Sequence, residues 1–308
     1  MRKLIIKYLL FLTMLTATTT FGQNFSHEVS PEGILLKDGS KKVLFFQSQE
    51  KSLNGNYPRA NYIHPLFDLD GNVLTEDFPD DHLHHRGIFW AWHQVLMGKK
   101  EIGDSWECKN FKWDVKNVQT KDYANDAILL KAHTQWTSPL YTLEGEEVPF
   151  VDENTEIKVL PATASYRIID FKISLLALVD SLKIGGSKDV KGYGGFSARV
   201  KLPEDVGFYS NNVNIVPTNQ AVTANRHINI QGSFNNKEKS GIIIIAGKEN
   251  PEPNNKWILR SENSMQNAAF PGRKAIKIST RKPLILKYRL IIYKENPNQV
   301  TLNKLLDF

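Results

Sequence analysis

Short apolar runs broken by turn residues dominate the chain from Phe25 onward, a texture that predicts strands rather than helices. Gly33-Ile34-Leu35-Leu36 and Val43-Leu44-Phe45-Phe46 flank Lys37-Asp38-Gly39-Ser40, whose Asp-Gly step signals a hairpin. Residues 47–59 are polar, with Asn54-Gly55-Asn56 and Tyr57-Pro58, and read as a loop. Residues 87–97 are apolar and aromatic enough for a strand, and 105–118, 127–137, 139–148 and 155–159 read as antiparallel strands. The longest candidate spans 165–183: Tyr166, Ile168, Asp170, Lys172 and Ser174 alternate with Arg167, Ile169, Phe171, Ile173 and Leu175. A helix is the alternative for 173–182. Further strands are expected at 196–202, 227–230, 241–246, 257–260, 275–279 and 284–293. Ile242 to Ile245 is apolar on both faces, which predicts a central strand covered on both sides. Residues 298–306 suit a short helix. Without an internal repeat or a low-complexity linker, the pattern implies one all-β domain, a large antiparallel β-sandwich (supersandwich-like) or barrel-like double sheet with few short helices.

Composition adds little to that picture but excludes some classes. A hydrophobic share of 41% in 308 residues suffices for a sizeable core. Residues 1–22 read as a signal peptide: basic Arg2, Lys3 and Lys7, an apolar run from Tyr8 to Leu15, then small polar residues. That run is too short to span a bilayer. Cleavage near Gly22-Gln23 would release a periplasmic chain of residues 23–308, with no cysteine nearby for a lipid anchor. Half of the formal charge of +6 sits on the three basic residues of the leader. The remaining basic residues are scattered, which argues against nucleic acid as a partner. Cys108 is the single cysteine, so no intrachain disulfide can form, and it suits a buried small hydrophobe.

Candidate chemistry concentrates in Asp80-Asp81-His82-Leu83-His84-His85-Arg86-Gly87-Ile88-Phe89-Trp90-Ala91-Trp92-His93. Of eight histidines, five (His64, His82, His84, His85 and His93) fall within thirty residues. Imidazoles titrate near neutrality and bind metals, so such density suits proton transfer or ligation. If residues 84–93 are extended, His84, Arg86, Ile88, Trp90 and Trp92 share one face, and His85, Gly87, Phe89, Ala91 and His93 the other. A glycine at 87 lets a ligand or another strand approach closely.

Three readings fit. In the catalytic one, His64, His82, His84, His85 and His93 supply acid–base groups, and Arg86 holds a hydroxyl-rich or anionic substrate. Trp90, Trp92 and Trp106 would form an aromatic platform, with Tyr193, Arg199 and Arg226 as further walls. In the metal reading, His82-x-His84 makes a clip completed by His64, His93 or Asp81. In the structural reading, the histidines cap turns in a compact corner. Asp104 and Glu107 read as exposed turn residues, and residues 266–273 as another loop at the same mouth. No Gly-x-Ser-x-Gly elbow, His-Glu-x-x-His helix or dinucleotide fingerprint occurs.

Tyr62-Ile63-His64-Pro65-Leu66, Asp80-x-His82-x-His84-His85-Arg86-Gly87-Ile88-Phe89-Trp90-Ala91, Asp104-x-Trp106, Tyr193-Gly194-Gly195 and Pro271-Gly272-Arg273 followed by Leu286-x-Tyr288-Arg289 resemble the PmoA-like family, exported bacterial proteins of unknown function. The resemblance spans about residues 33–293 and is most specific at His82, His84, His85 and Gly87. It implies a secreted β-rich domain of the kind found among proteins handling carbohydrate. Methane oxygenation is not carried over, because the mature chain has no apolar run of ~20 residues. The expectation is therefore a periplasmic protein acting on or binding a carbohydrate or related polyhydroxylated compound, as a hydrolase, lyase or epimerase. A small molecule or oligosaccharide would be its partner, and no organic cofactor is expected. A non-catalytic carbohydrate-binding module and a divalent-metal enzyme are the alternatives.

Overall fold

The computed structural model describes residues 25–237 and 240–308; the expected signal peptide lies outside them. Two nine-stranded antiparallel sheets face each other, and together they form a large β-sandwich. The first sheet runs in the order Phe25–Val29, Gly33–Asp38, Lys41–Gln47, Tyr62–Leu66, Ile88–Trp92, Gly194–Ala198, Gln266–Ala269, Lys256–Ile258, Val222–Thr223. The second runs Lys112–Tyr123, Ala127–Thr137, Val151–Val159, Tyr166–Ala177, Leu284–Tyr293, Ser240–Ala246, His227–Gly232, Gly207–Ser210, Val213–Asn214. A four-stranded sheet built on Gln94–Met97 and Leu182–Gly185 closes one side.

Alternation decides what each strand buries. In Ile88–Trp92, the inward Ile88, Trp90 and Trp92 enter the inter-sheet core. There Trp92 meets Trp136 at 5.8 Å and Phe171 packs edge-on to Phe196 at 5.1 Å. Phe89 and Ala91 point outward into a smaller cluster with Tyr62, Trp106 and Met265. In the second sheet Ile242 and Ile244 face the main core, while Ile243 and Ile245 lie under α1, the helix Gln299–Leu306 capped by Asn298. This strand is covered on both faces, as its run of isoleucines predicts.

Four segments differ from the sequence reading. Residues 139–148 are not one strand but a short hairpin, Thr142–Leu143 with Glu146–Glu147, turning at Glu144-Gly145. Residues 47–59 contain a hairpin, Lys51–Leu53 with Asn56–Arg59, because Asn54 and Gly55 both take the left-handed backbone a tight hairpin turn needs. Residues 105–110 form no strand: Asp104 Oδ1 accepts the backbone N–H of Trp106 and of Glu107, each at 2.9 Å, and turns the chain. Residues 173–177 stay extended rather than helical, paired on both sides as far as Leu175.

At the centre of the sandwich lies a carboxylate. Glu153 is fully buried, and its Oε1 accepts from Asn61 Nδ2 and Trp90 Nε1 (2.7 Å each) and Thr155 Oγ1 (2.8 Å). Its Oε2 accepts from Trp136 Nε1 at 2.8 Å. Burial pushes its pKa upward, and the hydrogen bonds oppose that shift. Glu153→Ala would leave two indole N–H groups and an amide buried without acceptors, a loss of at least about 3 kcal/mol. Urea unfolding checks this, and a loss below about 1 kcal/mol would show that the sheets do not depend on the carboxylate.

Candidate functional site

The histidine cluster forms at a turn on the outer face of the first sheet. His85 N–H bonds back to His82 O at 2.9 Å, so residues 82–85 curl before the strand begins at Ile88. The expected two-face sorting therefore holds only from Ile88 onward. Instead of lying on opposite faces, His84 and His85 meet edge to face at 4.5 Å, and His82 stacks on His85 at 4.6 Å. Gly87 makes the close approach possible: a Cβ there would sit 1.9 Å from Ile63 O, so a neighbouring strand, not a ligand, uses the space.

Around these rings the geometry divides into two histidine–carboxylate pairs. His82, 43% exposed in its side chain, donates from Nδ1 to Asp81 Oδ2 at 2.6 Å. Buried Arg199 grips the same carboxylate with Nη1 at 2.8 Å and Nη2 at 2.7 Å, while its Nε bonds Glu76 Oε2 at 2.6 Å. Burial works against ionisation of Asp81, but hydrogen bonds from Arg199 and His82 outweigh it and hold the carboxyl down to about 2. The second pair is His93 Nδ1 to Asp104 Oδ2, 2.9 Å. In each pair the ring nitrogen left for a ligand is Nε2. Trp106 joins the two groups, stacked with His93 at 5.4 Å and edge-on to His85 at 6.2 Å. Tyr193 packs against Trp106 at 5.4 Å, and its hydroxyl accepts from Arg260 Nη2 at 2.8 Å. His84 Nε2 lies 3.6 Å from Glu107 Oε1.

Burial lowers His84 to about 3, with Arg59, His82 and His93 adding repulsion. His85 is pushed down further, by burial first and then by His84 and His82; its Nδ1 is buried without a partner. Both rings are neutral at pH 7. Asp104 and Glu107, read as exposed turn residues, do build the turn and also meet histidines.

Several expected site residues lie elsewhere. Trp90 and Trp92 are core residues: their indoles donate to Glu153 and to Phe270 O, and they offer no platform. Trp106 is only 2% exposed and supports His93 and Tyr193 from beneath. Arg86 is fully buried, bonded to Asp77 Oδ1 at 3.0 Å and to the carbonyls of Lys51 and Tyr57, so it holds loops rather than substrate. His64 bonds Thr75 Oγ1 at 3.0 Å and faces a separate depression with Gln47 and Lys51; burial first lowers it to about 4. Arg226 donates to Ala246 O and Leu306 O, on the second sheet beside α1. Arg199 is close, but it grips Asp81. Cys108 is buried as expected.

Arg59 and Arg260 escaped the sequence reading. Buried Arg59 donates to Ser105 O at 2.8 Å and Trp106 O at 3.0 Å, and its distance along the chain leaves no local signal. Among the described residues, no three His, Cys, Asp or Glu side chains converge as metal ligands, so the His82-x-His84 clip is not completed. No helix of the described residues is long and apolar enough to cross a membrane.

Fold and site together define an all-β protein with an imidazole-rich outer surface. Residues 34–307 match the Family of unknown function (DUF6807), and the chain belongs to that family. No curated protein matches it.

The buried histidines make the fold acid-sensitive. His64, His84, His85 and His227 all have folded pKa values below the unfolded value of 6.5. Below that pH the unfolded chain takes up protons that the native chain refuses. Stability is therefore full above about 6.5 and declines as pH falls toward about 4, by about 2 kcal/mol per histidine at pH 5. Thermal unfolding from pH 7.5 to 4.5 should show this decline, less steep in His84→Gln. A flat profile across that window would contradict the burial of these rings.

Proposed function

We propose that the protein is an exported acid–base enzyme acting on a carbohydrate or related polyhydroxylated compound, with His82 as the proton-transferring group. The observation that carries this reading is the relay Arg199–Asp81–His82: a buried guanidinium fixes an ionised carboxylate, which fixes an exposed imidazole. In such a relay Asp81 holds the Nδ1 proton, so Nε2 can accept a proton and the imidazolium formed is stabilised. His93–Asp104 repeats the arrangement across Trp106, which suits a second proton donor. Tyr193 and Glu107 border the rings and can bond hydroxyl groups.

Among hydrolase, lyase and epimerase, the last two fit better. Glycoside hydrolysis generally uses two carboxyl groups flanking the scissile bond. Here Asp81 and Asp104 are committed to histidines, whereas paired imidazoles suit removal and return of a carbon-bound proton. The basic-apolar leader supports export. The resemblance of His82-x-His84-His85-x-Gly87 to the PmoA-like pattern supports the carbohydrate reading.

Incubating the protein with a panel of neutral and acidic sugars in heavy water, followed by proton NMR, tests the proposal. Exchange at a carbon-bound position, a double bond or an epimer is the expected result. His82→Asn should reduce it by on the order of a hundredfold or more without lowering the melting temperature. Calorimetric binding with neither exchange nor product on long incubation would make the protein a binding module instead. Absence of both binding and exchange across the panel would refute the reading.

A further inference from the structure

Lysines that are dispersed along the sequence become neighbours on the outer face of the second sheet. Strand register places Lys131, Glu156, Lys172 and Lys287 directly across from one another on four adjacent strands. Two residues along, a second row reads Lys121, Leu129, Lys158, Asp170 and Arg289. Residues two apart on a strand share a face, so both rows point away from the core. Their inward neighbours Leu130, Ile157, Phe171 and Tyr288 belong to the inter-sheet core.

All of the side chains in these two rows but Arg289 line a trough of about 300 Å³. Its aromatic flanks are Tyr123, whose ring centre lies 5.8 Å from Lys158 Nζ, and Phe308, 4.4 Å from the Arg289 guanidinium. Five lysines line it against two carboxylates, Glu156 and Asp170; beside it Arg289 bonds Asp170, and Glu249 pairs with Lys287 at 2.7 Å. Asp170 is held by Arg289 at 2.6 Å and Lys158 at 3.2 Å, and Glu156 by Lys131 at 2.7 Å and Lys172 at 3.5 Å. The side chains of Lys131 and Lys172 are each 45% exposed, so their ammonium groups are open to a ligand.

We propose that this trough binds an acidic polysaccharide, independently of the histidine site on the opposite face. Charge complementarity calls for an anion, and the flanking rings suit the apolar faces of sugars. The two carboxylates within the rows favour a sugar chain over a nucleic acid. They would repel closely spaced phosphates, whereas they can accept hydrogen bonds from hydroxyl groups. From Lys131 to Lys287 the row spans about 14 Å at the usual strand spacing, room for a short run of sugar rings.

Calorimetry with polygalacturonate oligosaccharides, dextran sulfate, neutral dextran and a single-stranded oligonucleotide tests the proposal. Either or both acidic sugars should bind, the difference between them telling carboxylate from sulfate recognition, and binding should weaken as salt rises from about 0.05 to about 0.3 M. Lys131→Gln, Lys172→Gln and Lys287→Gln together should weaken binding roughly tenfold at low salt, about 1.4 kcal/mol. Unchanged melting of this triple variant shows that the fold is kept, and should it melt early, Lys121→Gln with Lys287→Gln replaces it. His82→Asn should bind as the native protein does, which separates the trough from the proposed enzyme site. Equal affinity of variant and native protein, equal affinity for neutral dextran, or tighter binding of the oligonucleotide would each overturn the proposal.

Discussion

The sandwich depends on a carboxylate that no water reaches. Glu153 draws donors from the Val151–Val159 and Ala127–Thr137 strands of one sheet, and from Trp90 and Asn61 on the other. A buried acid is unfavourable unless its oxygens are fully satisfied, and here four hydrogen bonds satisfy them. Trp90 is thereby locked in register. Since neighbours on a strand face opposite ways, fixing Trp90 inward also fixes Phe89 and Ala91 outward, under the histidine cluster. An interaction wholly inside the core thus sets the position of chemistry on the surface.

Three buried arginines extend that constraint to the loops. Arg59 ties the Ser105–Trp106 turn, Arg86 ties Lys51, Tyr57 and Asp77, and Arg199 ties Glu76 and Asp81. Each planar guanidinium holds acceptors from segments distant in sequence, a geometry that lysine cannot reproduce. The exposed ring of His82 and the half-buried ring of His93 therefore sit on a rigid base, which is what positioned proton transfer needs.

Much of this architecture was legible because it is periodic. The outward Phe89 and Ala91, the inward Ile88, Trp90 and Trp92, the Asp38-Gly39 hairpin, the doubly covered isoleucines and the terminal helix all follow from spacing that a local window contains. The histidine window located the cluster of rings around Trp106. Its inner arrangement was not legible: His84 to Arg86 read as an extended entry, yet residues 82–85 curl, because that turn is stabilised by hydrogen bonding across residues 79–85 and by Arg199, far along the chain. Trp90 looked like a platform because a local pattern cannot tell an indole facing a ligand from one facing Glu153. The lysine rows depend on the register of five strands, and no stretch of sequence holds them together.

The covering of the second sheet has a consequence for how the chain matures. Ile243, Ile245 and Ile291 shelter beneath Leu302 and Leu305 of α1, a helix that follows every strand in chain order. Until that helix docks, a β-branched strip lies bare on strands already able to pair, the kind of surface that drives self-association. Docking of α1 covers that strip and closes the fold. A chain that had to cross a membrane before folding would keep the strip unpaired until that helix was also across.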